Sequence, residues 1–314
     1  MNVLITGGGG FIGSRLAAAL AARDPKARIT LLDTNFPPGL EGRFECMRGE
    51  LPSPEVIAKA LRPDTQSVFH LASVVSGGAE ADFDLGYRVN LDGGRNLLEA
   101  CRKLAKPPTF VFASSVAAFG GKLPDVLDDS ITPTPQTSYG TQKVINEYLI
   151  ADYTRKGMID GRSLRLPTIV VRPGKPNLAA SSFASAIIRE PLTGVETDCP
   201  VAETTGVWVL SPRRVVEAFM HAHDLPASAW PSSRVVNLPG ITVSVREMID
   251  AMGRIAGDKA VKRVRFVPDA RINGIVQTWP VRFRTERANA MGFKADASFG
   301  EVVRDFIADQ KIAV

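Results

Sequence analysis

The chain has 314 residues, 45% of them hydrophobic and 23% charged, and it carries a formal net charge of +5. These values are typical of a globular protein, and no run approaches the roughly 20 apolar residues of a membrane-spanning helix, so composition excludes a membrane protein. Three scattered cysteines argue against a disulfide framework or a metal knuckle, and the chain opens directly on a strand; we therefore expect a cytoplasmic protein.

The first elements in the chain are a strand, a glycine run, a helix and a second strand. They span Asn2–Thr6, residues 7–10, Phe11–Arg23 and Arg28–Asp33. Glycines between a strand and a helix let backbone N–H groups approach a pyrophosphate. Asp33, some 20 residues further on, can bind the diol of an adenosine ribose and would repel a 2′-phosphate. This start predicts a dinucleotide site that prefers NAD to NADP.

Strands and helices continue to alternate through the middle of the chain. The sequence predicts strands in SVFHLA, TFVFASS and SLRLPTIVV, and helices over about Asp82 to Leu104 and Gln136 to Arg155. This alternation predicts an α/β fold, a Rossmann-type doubly wound parallel sheet with a smaller C-terminal substrate-binding region. We expect an NAD-binding domain over residues 1–167, with a returning strand near 234–238, and a mainly substrate-binding region over 168–314.

A tyrosine and a lysine share one face of the predicted helix over Gln136 to Arg155. Tyr139 and Lys143 are four residues apart, so the ammonium can lie near the phenol and favour its anion. A phenol with a pKa of about 10 is otherwise a poor base at neutral pH. Ser115, at the end of the strand TFVFASS, offers a hydroxyl that could orient a substrate oxygen opposite the tyrosine.

Two other features favour structural interpretations. The basic run Lys259–Phe266 alternates charged and apolar residues, which predicts a strand with one solvated face rather than a nucleic-acid-binding surface. His221 and His223 are two residues apart on a predicted helix and point to different faces, so no metal site is predicted.

In combination, these motifs resemble the extended short-chain dehydrogenase/reductase family of NAD-dependent epimerases, dehydratases and sugar dehydrogenases. The matching segments cover about the first 175 residues: TGGGGFIG, Asp33, HLA at 70–72, ASSVAAFG at 113–120 and YGTQK at 139–143. The resemblance implies a catalytic Ser115, Tyr139 and Lys143, and a homodimer formed by the two long helices. It implies cofactor contacts from Gly7, Gly10, Phe11, Ile12, Gly13, Asp33, Glu50, Leu51, Leu71, Ala72, Ser73, Tyr139, Lys143 and Pro167.

The substrate region departs from the nucleotide-sugar members of that family. Pro167 and Thr168 stand where those enzymes have an asparagine that touches the sugar diphosphate, and residues 206–212 lack their nucleotide-gripping pattern. Residues 165–177 and 181–194 instead resemble a branch of D-erythronate dehydrogenases, which implies oxidation of a small anionic sugar acid to its 2-oxo acid. A buried carboxylate needs a charged partner. The candidate substrate-binding residues are Ser76, Ser115, Thr168, Arg172, Lys175 and Arg189.

Three alternatives stay open at this point. A nucleotide-sugar epimerase or dehydratase would use the same residues but regenerate its cofactor. A hexuronate dehydrogenase would differ only in the size of its substrate. A non-catalytic dinucleotide sensor could share the fold, but such proteins typically lose the tyrosine–lysine pair that this chain keeps.

Overall fold

The computed structural model describes residues 1–174 and 180–313. The strands are β1 Asn2–Thr6, β2 Arg28–Asp33, β3 Glu45–Arg48, β4 Ser67–His70, β5 Thr109–Ser115, β6 Asp160–Leu166, β7 Thr168–Ile169, β8 Thr197–Cys199, β9 Gly206–Leu210, β10 Val235–Asn237, β11 Ile241–Ser244 and β12 Val264–Phe266. The α-helices are α1 Phe11–Arg23, α2 Pro54–Ala60, α3 Ser76–Ala81, α4 Phe83–Gly86, α5 Gly93–Cys101, α6 Ser138–Arg155, α7 Ser182–Leu192, α8 Pro212–Asp224, α9 Val245–Ala256, α10 Asp258–Val261, α11 Ala270–Val276, α12 Glu286–Ala290 and α13 Phe299–Gln310. A π-helical turn covers Tyr87–Asp92, and short 3₁₀ turns cover Val116–Ala118 and Ala227–Ala229.

The chain divides into two compact units. The first comprises Met1–Ala118, Pro135–Arg165 and Val216–Asn237, and the second comprises Phe119–Thr134, Leu166–Val215 and Leu238–Val314. The segment Val216–Asn237 thus belongs to the first unit although it follows much of the second in sequence. Its strand β10 pairs in parallel with β6, with Val236 opposite Leu164.

A seven-stranded parallel sheet forms the centre of the first unit, in the order β10-β6-β5-β4-β1-β2-β3. Side chains alternate between its faces because successive residues of a strand point to opposite sides. Val68 joins a core cluster with residues of α2 and α5 on one face. Phe69, its neighbour, meets Phe219 of α8 edge to face at 6.5 Å between ring centroids. Helices therefore cover both faces, as expected for a Rossmann-type sheet.

The second unit contains two small sheets and several helices. Its three-stranded sheet has the order β11-β9-β7, and its two-stranded sheet pairs β12 with β8. Helices α7, α9 and α13 contribute most of one hydrophobic core, which includes the buried side chains of Ile187, Met248 and Val303. Helix α9 is amphipathic and begins with a capping box in which Ser244 and Glu247 satisfy each other's backbone N–H groups.

Three elements differ from their sequence-based predictions. The stretch predicted as one helix over 82–104 is helical but contains the π-helical turn between α4 and α5. The predicted strand SLRLPTIVV is divided into β6 and β7 at Pro167, which has no N–H to donate to a ladder. The run Lys259–Phe266 begins in helix α10, and only its last three residues form β12. None of the described helices is both long and apolar enough to cross a membrane.

Candidate active site

The glycine loop between β1 and α1 makes a turn that side chains could not occupy. Gly7 has a φ of +73° and its N–H donates to the Leu32 carbonyl at 2.8 Å. A Cβ at Gly13 would lie 2.2 Å from the Gly7 carbonyl oxygen, so only glycine fits there. The N–H groups at the start of α1 are left without helical partners, which suits an anion.

Asp33 ends β2 beside this loop. Its Oδ2 accepts from the Gly9 N–H at 3.0 Å and its Oδ1 from the Thr34 N–H at 2.7 Å. These bonds fix the carboxylate at the rim of a cavity of about 370 Å³. The residues lining this cavity are Gly7, Gly10, Leu32, Asp33, Thr34, Gly49, Glu50, Leu51, Pro52, Leu71, Ala72, Ser73, Val74, Leu85 and Val89.

The cavity brings together eight of the predicted cofactor residues, and its glycine loop and Asp33 are groups of the kind that bind a pyrophosphate and a ribose diol. The other six do not line it: Phe11, Ile12 and Gly13 occupy the first turn of α1, and Tyr139, Lys143 and Pro167 lie outside the cavity wall. Thr34 and Gly49 also line the cavity and were not predicted. Thr34 directly follows the predicted end of β2, whereas Gly49 follows β3, a strand that the sequence did not predict. Val74, Leu85 and Val89 were not predicted either, because their part in the cavity depends on how the segments after β4 fold back.

Ser73 is fixed by a buried asparagine. The Ser73 hydroxyl donates to Asn90 Oδ1 at 3.0 Å, and the same oxygen accepts from the Val74 N–H at 2.7 Å. Asn90 lies in the π-helical turn and also donates to Gln142 Oε1 at 2.7 Å. The turn therefore holds one wall of the cavity in place.

Ser115 and Tyr139 meet where β5 ends and α6 begins. Thr137 caps α6 by accepting the Gly140 N–H, which places Tyr139 in the first turn. A Cβ at Gly140 would lie 2.2 Å from the Ala117 carbonyl oxygen, so this glycine permits the close approach of the helix to the turn after Ser115. Burial raises the pKa of the half-buried Tyr139 to about 12, and its hydrogen bond with Ser115 lowers the pKa in part.

Lys143 lies one turn further along α6 and is fully buried. Its Nζ donates to the Ala113 carbonyl oxygen at 2.8 Å and is 5.3 Å from the centroid of the Tyr139 ring. Burial lowers the pKa of Lys143 to about 7, while the charge of Glu147 raises it. The spacing of the two residues predicts that the ammonium lowers the pKa of the phenol, but burial is the largest cause of the pKa shift of both groups.

His70 is a core residue beside this group. Its Nδ1 lies 2.7 Å from Thr6 Oγ1, and its ring stacks on Phe112 at 5.3 Å between centroids. Burial, with a smaller contribution from the Lys143 charge, lowers the pKa of His70 to about 3. The imidazole is therefore neutral at physiological pH.

The candidate substrate residues fall in both units. Ser76 begins α3 in the first unit. In the second unit Pro167 precedes β7, where Thr168 pairs with Val209. Lys175 lies outside the described residues.

Two arginines of the second unit lie close together. Arg189 is buried; its Nη1 donates to the Arg172 carbonyl oxygen at 2.8 Å and its Nη2 to Glu190 Oε1 at 2.6 Å. Burial, and then the charge of Arg189, lowers the pKa of Arg172. Arg189 also lines a cavity of about 310 Å³ with Pro173, Gly174, Glu190, Thr193, Phe306 and Gln310. The Glu190 carboxylate that pairs with Arg189 lines the same cavity.

Comparison of the sequence and the fold with known proteins identifies similar dehydrogenases and a similar structure described as an epimerase. The chain is 53% identical over its whole length to a D-erythronate dehydrogenase of Cupriavidus necator, which it covers completely. It is 45% identical to a D-erythronate dehydrogenase of Haemophilus influenzae, over 98% of this chain and 99% of that one. A structure described as a nucleoside-diphosphate-sugar epimerase from Agrobacterium tumefaciens superimposes with a TM-score of 0.92 at 39% identity, covering 99% of this chain and 94% of that chain.

These similarities confirm the predicted Rossmann-type fold, the NAD cofactor and the resemblance to the D-erythronate dehydrogenase branch. They also confirm the prediction of an NAD-dependent dehydrogenase of the extended short-chain type. The model of the NAD-dependent epimerase/dehydratase family matches residues 3–229. The chain belongs to the NAD-dependent epimerase/dehydratase family.

Proposed function

We propose that this protein oxidises D-erythronate at C2 to the 2-oxo acid with NAD⁺. The observation that carries the proposal is the 53% identity, over the full length of both chains, to a protein named D-erythronate dehydrogenase. The cluster of Ser115, Tyr139 and Lys143 supports it, because alcohol oxidation needs a base, a donor for the reacting oxygen and a nearby cation.

In the proposed reaction Tyr139 accepts the proton of the C2 hydroxyl, and Ser115 hydrogen-bonds the same oxygen. Bound NAD⁺ supplies the hydride acceptor, so each acid oxidised yields one NADH and one proton. Lys143 contributes a positive charge 5.3 Å from the tyrosine ring, which opposes the effect of burial and favours the phenolate. It also contacts the nicotinamide ribose in this proposal.

The proposed cofactor contacts follow the cavity of the first unit. The glycine loop, with Phe11 and Ile12 at the start of α1, holds the pyrophosphate. Asp33 binds the adenosine ribose, and Glu50 and Leu51 flank the adenine. Leu71, Ala72 and Ser73 line the nicotinamide side. The support for these roles is that the predicted contacts Gly7, Gly10, Asp33, Glu50, Leu51, Leu71, Ala72 and Ser73 border one cavity.

For the substrate carboxylate we propose Arg172 as the main partner, with Arg189 adding positive charge. Burial and the neighbouring Arg189 lower the pKa of Arg172, and an anion beside Arg172 would stabilise its charge. Arg189 already donates a hydrogen bond to Glu190, so we propose that it attracts the substrate carboxylate by its charge and does not bind it in a bidentate arrangement. Ser76 and Thr168 are the proposed contacts of the remaining hydroxyls.

We further propose that the protein is a homodimer in the cytoplasm. Phe83 and Tyr148, on the predicted interface helices, are 57% and 65% exposed. The Phe83 ring packs on Tyr87 at 4.3 Å between centroids, which forms a rigid apolar surface. A contiguous exposed apolar patch marks an interaction site, and α4, which carries Phe83, packs against α6, which carries Tyr148. Three free cysteines fit a reducing compartment.

A nucleotide-sugar epimerase is the second candidate, favoured by the description of the Agrobacterium tumefaciens structure. The two functions differ in their overall balance, because an epimerase returns its hydride to the substrate and releases no NADH. A hexuronate dehydrogenase differs only in preferring a six-carbon acid.

The proposal is tested by following NADH formation at 340 nm with purified protein, NAD⁺ and a panel of four- to six-carbon aldonic and uronic acids. We expect turnover with D-erythronate and little with glucuronate. The reverse preference would identify a hexuronate dehydrogenase. Binding of NAD⁺ without NADH formation from any acid, together with conversion of a nucleotide sugar, would identify an epimerase.

A further inference from the structure

Glu147 and Arg165 form a buried ion pair, and Glu147 lies one helical turn after the proposed catalytic Lys143. Glu147 is four residues after Lys143 and eight after Tyr139, so the three side chains share one face of α6. Arg165 of β6 holds Glu147 in a bidentate arrangement, with Nε to Oε1 at 2.9 Å and Nη2 to Oε2 at 2.6 Å. Ser114 donates to the same Oε1 at 2.5 Å. Glu147 is only 3% exposed, and Arg165 is 8% exposed.

This arrangement fixes the Glu147 carboxylate more firmly than a surface pair would. A bidentate arginine sets both the distance and the plane of a carboxylate. Arg165 is itself held by Asn237 Oδ1 at 3.4 Å, on the neighbouring strand β10. The proposed catalytic reaction uses none of these groups directly, and a buried ion pair adds little net stability because of its desolvation cost. Its position therefore calls for a functional explanation.

The charges around Lys143 indicate a function for the Glu147–Arg165 ion pair. The Lys143 ammonium donates to a neutral acceptor, the Ala113 carbonyl, and is otherwise packed over the Phe112 ring. The titratable groups around it are Tyr139 and Glu147 of its own helix and His70 of β4, and Arg165 of β6 acts through Glu147. His70 is neutral, and Glu147 lies one helical turn from Lys143 on the same face of α6 with both side chains buried, so Glu147 is the anion that acts on the ammonium.

We propose that Glu147, clamped by Arg165 and Ser114, is a positioning residue that keeps Lys143 charged and directed at Tyr139 during catalysis. The inference rests on the proposed function, because it assigns Lys143 a role only as a cation beside the tyrosine. Glu147 touches neither substrate nor cofactor and acts through Lys143. Without its charge, Lys143 would face the uncompensated cation of Arg165 and would lose its proton at lower pH.

The test compares the pH dependence of kcat in four variants with that of the wild type. Glu147→Gln removes the charge and keeps the shape, while Glu147→Asp keeps the charge. Glu147→Gln combined with Arg165→Met removes both charges and leaves no buried cation unpaired. Asp152→Asn is the matched control, since Asp152 is an exposed carboxylate on the same helix that pairs with Arg155 at 2.6 Å.

We expect Glu147→Gln to lose activity on the alkaline side at a pH about one unit lower than the wild type, which is about tenfold in the charged fraction of Lys143. The double variant should shift in the same direction by less. Glu147→Asp and Asp152→Asn should keep the wild-type alkaline limit. A profile with the wild-type limit in either charge-removing variant that folds, even with a lower maximum, would overturn the proposal.

The same variants separate this inference from the proposed substrate. If the wild type forms no NADH with any acid, the proposed function fails, and the pH dependence of NAD⁺ binding replaces kcat, since Lys143 is expected to contact the nicotinamide ribose. NAD⁺ affinity should then weaken at lower pH in Glu147→Gln than in the wild type. Superimposable binding curves would refute the role of Glu147 whatever the substrate is.

Discussion

At the scale of single residues, the proposed catalytic mechanism depends first on the Tyr139 hydroxyl. Tyr139→Phe removes the proton acceptor and keeps the ring, so we expect kcat to fall by about 10²- to 10⁴-fold while NAD⁺ still binds. Initial rates and isothermal titration calorimetry measure the two effects. Tyr148→Phe is the matched control, because Tyr148 is exposed on the same helix. Turnover near the wild-type level in Tyr139→Phe would remove the tyrosine from the mechanism.

The burial of a neutral His70 predicts how the stability of the fold depends on pH. Its pKa is lowered to about 3 in the folded protein from an ordinary value of 6.5, so protonation favours the unfolded state. The stability that neutral His70 contributes is fully present above pH 6.5 and is lost as the pH falls towards 3. The loss is on the order of 5 kcal/mol.

The His70→Asn variant keeps a polar partner for Thr6 but does not titrate in this range. We therefore expect its free energy of unfolding, from urea titrations, to fall less steeply than that of the wild type between pH 6.5 and the acid limit of folding. Curves that stay parallel over this range would show that the histidine is not buried in its neutral form.

The sequence was informative about individual residues where a backbone requirement or a fixed spacing identifies them. Gly7 and Gly13 need a turn without side chains, and Tyr139 and Lys143 are one helical turn apart. Glu147 continues that spacing, but its partners Ser114 and Arg165 come from two other strands. Spacing along one helix cannot reveal such a pairing, so the ion pair was not predicted.

At the scale of elements, the junction of β5 and α6 sets the geometry of Ser115 and Tyr139. Gly140→Ala would place a methyl group 2.2 Å from the Ala117 carbonyl oxygen and push the two elements apart. We expect a loss of about 1–3 kcal/mol in stability and a larger relative loss of kcat than of NAD⁺ affinity. Chemical denaturation and steady-state kinetics measure these changes.

The matched control for this substitution is Gly42→Ala, at a glycine with no neighbouring atom within 4 Å and an ordinary φ. It should leave activity unchanged. Wild-type kcat in Gly140→Ala would show that the close approach of α6 to the turn after Ser115 is not needed for catalysis.

Elements with strong periodicity were predicted well from the sequence, and interruptions were not. Strands β1 and β2 agree with their predicted bounds because each is a short apolar run between glycine, proline or charged residues. The π-helical turn at Tyr87–Asp92 has no periodicity of its own and depends on the bonds of Asn90 to the loop after β4. The proline at 167 is visible in the sequence, but the apolar residues on both sides of it predict a single strand.

At the scale of the whole molecule, the proposed homodimer can be tested by light scattering coupled to size-exclusion chromatography. We expect a mass of twice 33.8 kDa for the wild type. Tyr148→Glu places a charge on the proposed interface and should shift the population towards the monomer. Val195→Glu, at a position that is 53% exposed in the second unit, should not. A monomeric wild type at micromolar concentration would contradict the dimer.

The family and the cofactor were also predictable at this scale, because the motifs that carry them lie in one continuous half of the chain. The substrate was harder to predict from the sequence. Its proposed partner Arg172 follows β7 and Arg189 lies in α7, and the effect of Arg189 on Arg172 depends on how the second unit folds.

The most direct test of the central claim uses D-erythronate that carries deuterium at C2. Oxidation at C2 transfers that deuterium to the nicotinamide, so mass spectrometry should find one deuterium in each NADH formed and none in the 2-oxo acid product. Unlabelled NADH would mean that another carbon is oxidised, and the absence of NADH would mean that D-erythronate is not the substrate. Either result would contradict the account.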